Sequence, residues 1–66
     1  MKNNLKVERA IKDITQAELA EIIDVSRQTI NAIEKKRYVP STVLALKLSE
    51  YFGKSVNEIF QLEKGD

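Results

Sequence analysis

Two residues, Asp24 and Val25, separate the end of one predicted helix from the start of the next, and this break constrains the chain more than any other feature. The helix before it opens at Thr15. Thr15 and Glu18 form a Thr-x-x-Glu capping box, in which hydroxyl and carboxylate satisfy two amides at the helix start. It runs to Ile23, with Leu19, Ala20, Ile22 and Ile23 as its apolar side. Ala20 is small enough to let another helix approach closely. The helix after the break opens at Ser26, whose hydroxyl is a good N-cap. Helices joined by so few residues must cross at a steep angle.

The second of these helices divides sharply into two faces. At about 100° per residue, Ile30, Ile33 and Glu34 share one arc, while Gln28, Asn31, Ala32 and Lys35 point roughly the opposite way. The outward set begins with long amides and ends with three consecutive cations, Lys35, Lys36 and Arg37. One reading is an ordinary solvated face, its cations placed to suit the helix dipole. The other is a helix lying in the DNA major groove. There, amides and Arg read base edges and a basic end neutralises phosphates. Charge favours the second reading. The net charge is only +1, yet residues 26–41 carry four basic side chains against one acidic, while the segments on either side are each slightly acidic. Such local neutralisation of phosphate makes association depend on salt.

The remaining composition excludes more than it suggests. Sixty-six residues make one small domain, 1–66, near the lower limit for folding alone. With no Cys and no His, disulfides, thiolate or imidazole metal sites and the usual nucleophile–base pairs are absent. No carboxylate constellation suggests an enzyme, and no cofactor or metal is expected. No apolar run is long enough to span a membrane, and a charged helix follows Met1-Lys2-Asn3-Asn4 where a secretory signal would be apolar. The expected location is the cytoplasm.

Three further helices complete an all-α expectation. Leu5 to Lys12 is apolar on two sides, with Val7, Ala10, Ile11 and Ile14 on one and Leu5 with Arg9 on the other, so packing between two neighbours is expected. Asp13 ends it, because Asp tolerates the left-handed conformation that closes a helix. Pro40 stops the chain from continuing as helix, and Ser41 caps a fourth helix of about Thr42 to Phe52 with Gly53 just beyond it. Ser55 and Glu58 form a second capping box for a short fifth helix through Ile59 or Phe60. The first residues of the polar tail, Gln61 to Asp66, are candidates to pair as strand with Met1 to Asn3.

These residues resemble the Cro/Xre-type helix-turn-helix repressors, the phage-repressor-like family. Arg9, Thr15-Gln16-Ala17-Glu18-Leu19-Ala20, Val25-Ser26-Arg27-Gln28-Thr29-Ile30, Ile33-Glu34, Pro40 and Ser55-Val56-Asn57-Glu58-Ile59-Phe60 carry the likeness. It spans roughly residues 4–62, with the helix-turn-helix at about 15–36, and the length resembles the short stand-alone members. Asp13, Asp24 and Lys36 stand where the family often has Gly. The resemblance implies a compact five-helix DNA-binding domain. It implies base contacts from Arg27, Gln28 and Asn31. Backbone contacts would come from Gln16, Thr29, Lys35, Lys36, Arg37, Tyr38 and Ser41. Ala32 offers only a methyl group to thymine. Glu34 lies on the dry arc, where a lone carboxylate is costly; the resemblance supplies Arg9 as its partner in a structural ion pair.

The expected function is a sequence-specific, double-stranded-DNA-binding transcriptional regulator, a repressor acting as a homodimer on a pseudo-palindromic operator. So small a domain makes too few contacts for useful specificity alone. Candidates for the dimer surface are Tyr51, Val56, Ile59, Phe60 and Leu62, although Ile59, like Phe52, also suits the core. The alternative is an antitoxin-type protein that binds a toxin partner and autoregulates its operon.

Overall fold

A computed structural model describes all of residues 1–66. In chain order the elements are β1 (Lys2–Asn3), α1 (Leu5–Lys12), α2 (Gln16–Ile23), α3 (Arg27–Glu34), α4 (Thr42–Phe52), α5 (Val56–Ile59) and β2 (Phe60–Gln61).

Local chemistry sets almost every helix boundary. The hydroxyls of Thr15, Ser26, Ser41 and Ser55 each accept from the amide three residues on, at 3.0–3.2 Å. At Thr15 and Ser55 the Glu side chain returns to the cap amide, completing both capping boxes. The helix ends are equally uniform. Asp13, Asp24, Lys36 and Gly53 are all left-handed, with φ of 54°, 64°, 61° and 66°. After each of the four helices they close, the same two bonds form. One runs from the left-handed residue to the carbonyl three back, and one from the next amide to the carbonyl five back. This is the Schellman closure, and it needs no glycine where Asp can occupy the left-handed region. Lys36 has no such excuse and carries a strain of about 1 kcal/mol.

The core is built from Leu5, Leu19, Ala20, Ile23, Ile30, Ile33, Leu44, Leu48, Phe52, Ile59 and Phe60. α2 and α3 pack directly on one another across the Asp24-Val25 break, with Ala20 buried between larger neighbours. The strands pair antiparallel, Lys2 with Gln61 and Asn3 with Phe60. The pairing brings the Asn3 carboxamide to the end of α3, where Nδ2 donates to the Ile33 carbonyl at 2.9 Å. The main chain just before α1 is thereby pinned to the last turn of the DNA-facing candidate helix.

α1 departs from the expectation of packing on two sides. Val7 and Ile11 are 57% and 68% exposed, and only the side carrying Leu5 is buried. The buried side also takes in Glu8, whose carboxylate accepts from Lys54 Nζ at 2.9 Å. The chain has too few elements to cover both faces of α1.

Candidate nucleic-acid interface

α3 turns its polar arc outward because Ile30 and Ile33 fix the opposite arc in the core. Arg27, Gln28, Asn31 and Lys35 then line one open depression that contains no apolar side chain. A second polar groove adjoins it, lined by Lys6, Arg9, Gln16, Asn31, Glu34 and Lys35. Arg27 also borders the start of α2, beside Thr15, Gln16 and Ala17. One surface therefore gathers the outward arc of α3, the N-terminus of α2 and Lys6 of α1. Lys6 escaped the sequence reading because it belongs to no cap, motif or charge cluster.

The Arg9 guanidinium holds this surface together from beneath. Nε donates to Glu34 Oε2 at 2.6 Å, Nη2 to Glu34 Oε1 at 2.9 Å, and Nη1 to the Ile14 carbonyl at 3.1 Å. The fork joins α1 to α3 and to the turn before α2. The bonds to Glu34 raise the guanidinium pKa above its ordinary value, outweighing the opposing effect of burial. Glu34 lies beside the outward arc, so its neutralisation by Arg9 removes a charge that would repel phosphate.

Gln16 behaves differently from the simple phosphate donor expected of it. Its Nε2 donates to Glu34 Oε1 at 3.2 Å and to Asn31 Oδ1 at 3.3 Å, which engages both amide hydrogens within the chain. The backbone amides of Gln16 and Ala17 have no partner in the chain. They are the orphan donors of a helix start, suited to an anion.

The other sequence-derived positions are scattered more widely. Thr29 is half-buried, its hydroxyl 2.9 Å from that of Ser26, in the cap of α3. Lys36, Arg37 and Tyr38 are exposed in the loop after α3, with Lys36 Nζ 3.5 Å from Glu63. Ser41 is exposed at the start of α4, its oxygen accepting from Leu44 and its hydrogen free to donate.

The dimer-surface expectation needs correction at one position, Ile59. Ile59 is fully buried within the single chain and offers no surface, whereas Phe60, largely buried, still lines the depression beside Val56. Tyr51 is half-buried, about 140° around α4 from Leu46, with the Lys12 ammonium 4.9 Å above its ring. Val56 is half-buried and Leu62 exposed. Val56 lines a shallow apolar depression with Val39, Pro40 and Leu46, and Leu62 extends it at 81% exposure.

Residues 5–59 match the helix-turn-helix family. The chain is 51% identical over 63 residues to an uncharacterised HTH-type transcriptional regulator of Methanocaldococcus jannaschii, covering 96% of each chain. It is 45% identical over 64 residues to the uncharacterised HTH-type transcriptional regulator YgzD of Bacillus subtilis, covering 97% of each. A third relative, from Methanothermobacter thermautotrophicus and of the same description, is 40% identical over 65 residues, covering 97% of this chain and 94% of its own. With the capped α2, the two-residue break and the outward arc of α3 in place, the chain belongs to the helix-turn-helix family of transcriptional regulators.

Proposed function

We propose that this protein recognises operator DNA as a homodimer and represses transcription in the cytoplasm. The observation that carries the reading is the depression formed by Arg27, Gln28, Asn31 and Lys35 on the outward face of α3. Its donors and acceptors have the reach and chemistry to read base edges in a major groove. Gln28 has no partner within the chain and is available for the two-bond contact that an amide makes with adenine; Arg27 suits guanine. Lys35, Lys36, Arg37, Tyr38, Ser41 and Thr29 hold the DNA backbone, joined by the backbone amides of Gln16 and Ala17. Lys6 adds a cation to the same side.

A second copy docks on the apolar face of Val39, Leu46, Val56 and Leu62. Binding a palindrome requires that a two-fold axis through this face set the two α3 helices side by side. Palindromic half-sites one turn apart require a separation of about 34 Å. Repression is the simplest outcome of such binding, since occupancy alone blocks a promoter and needs no surface beyond these two.

Site selection from random duplexes, repeated at two salt concentrations, tests the reading. A palindromic consensus is expected. Gln28→Ala should erase one column of it, whereas Lys35→Ala should weaken all sites evenly and lower the salt slope by about 1. Selection without a consensus, or a complex holding a single protomer, would reject the proposal.

A further inference from the structure

We propose that the Arg9–Glu34 pair fixes the polarity with which Asn31 meets DNA, so that Asn31 presents its amide hydrogens and selects guanine over adenine. This inference rests on the reading that Asn31 contacts base edges.

A carboxylate only accepts hydrogen bonds. Glu34 is locked in place by the Arg9 fork, and its Oε1 lies 3.2 Å from the Gln16 carboxamide. The Gln16 atom facing it must therefore be the nitrogen. The same nitrogen lies 3.3 Å from Asn31, and its second hydrogen points there. The Asn31 atom facing Gln16 must then be the oxygen. Asn31 Nδ2, which has no partner in the chain, is left for the depression it shares with Arg27, Gln28 and Lys35. Turning Asn31 over would set two NH2 groups against each other. Turning Gln16 over as well would set its oxygen against the Glu34 carboxylate.

A free Asn side chain reads adenine by accepting from N6 and donating to N7. With its oxygen turned toward Gln16 and one lone pair engaged there, Asn31 directs its NH2 group at the depression. Guanine presents two acceptors, N7 and O6, at the same edge, whereas adenine presents one acceptor and one donor. Glu34 and Gln16 are thus positioning residues for base choice, and neither needs to touch a base. Gln28 has no such tether and keeps both polarities.

The test begins from the selected consensus and takes the base pair whose column is flattened by Asn31→Ala. In the unaltered protein the purine of that pair should be guanine, with adenine binding about tenfold more weakly. Gln16→Ala leaves the Arg9–Glu34 pair intact and frees Asn31 to turn over, so this discrimination should fall to about twofold or less while other columns keep their preferences. Gln16→Met keeps the side-chain length without the amide, and should behave the same if the alanine variant folds poorly. A merely structural role would weaken every sequence evenly and leave the ratio unchanged, which overturns the inference. A preference for adenine in the unaltered protein also overturns it, while leaving Asn31 as a base contact. If Asn31→Ala flattens no column, the base contact itself is wrong, and the polarity inference falls with it.

Discussion

α1 anchors two ion pairs, and their carboxylates are almost equally hidden: the side chains of Glu34 and Glu8 are each 7% exposed. Their cations are not. The Arg9 side chain is 14% exposed and spends three N–H groups on α3 and the turn before α2. The Lys54 side chain is 39% exposed and makes a single bond to Glu8, at 2.9 Å. A planar fork held at three points has no second position to move to, whereas a lysine can swing its ammonium into water. The burial of a carboxylate therefore says little about what its pair contributes. What decides is where the cation goes when the pair is broken.

The largest effect should follow Glu34→Ala, which strands a guanidinium with little access to water. A loss of about 3 kcal/mol is expected by denaturant unfolding. An unchanged midpoint would mean that Arg9 relaxes outward as easily as Lys54. Arg9→Lys should come next, at about 1–2 kcal/mol, because an ammonium cannot span Glu34 and the Ile14 carbonyl as the fork does. Glu8→Ala should cost less than either, since Lys54 regains water once released. A loss matching that of Glu34→Ala would erase the distinction between the pairs.

The smallest effect is one of pH. The bond to Glu8 raises the Lys54 pKa above its ordinary 10.5. A raised folded pKa stabilises the fold fully below the unfolded value, and that contribution disappears as pH climbs through the raised value. The stability difference between the unaltered protein and Glu8→Ala should accordingly hold steady through neutral pH and shrink above 10.5. The Arg9 pKa is also raised, so its pair should persist across the same range. A Glu8→Ala difference that held steady above 10.5 would show that lysine titration is not its source.

The same contrast explains what could be read in the sequence. Arg9 and Glu34 were legible because Glu34 stands on the dry arc of a capped helix, where it demands a partner, and the family resemblance supplied one. Glu8 and Lys54 stand 46 residues apart, and nothing local to either announces the other. Caps and stops were legible throughout, at Thr15, Ser26, Ser41, Ser55, Asp13 and Gly53, since each is settled within a few residues. The exposure of Val7 and Ile11, the place of Lys6, and the apolar face of Val39 and Leu46 depend on which elements remain to cover them. Helical spacing shows that a residue has a side but not whether that side meets a neighbour. Gln16 is intermediate. Its place at the start of α2 was evident, but the capture of its amide by Asn31 and Glu34 required the crossing of α2 and α3.

The uniform helix ends have a kinetic consequence. The starts of α2 to α5 are each decided across three residues and each Schellman stop across five. The chain can thus mark out its helices before distant parts have met, and the remaining search is for the arrangement of ready-made segments. Domains dominated by such short-range decisions fold on the order of microseconds to milliseconds. The β1–β2 pairing and the two α1 ion pairs, by contrast, join residues far apart in sequence. They should form late and act mainly as brakes on unfolding.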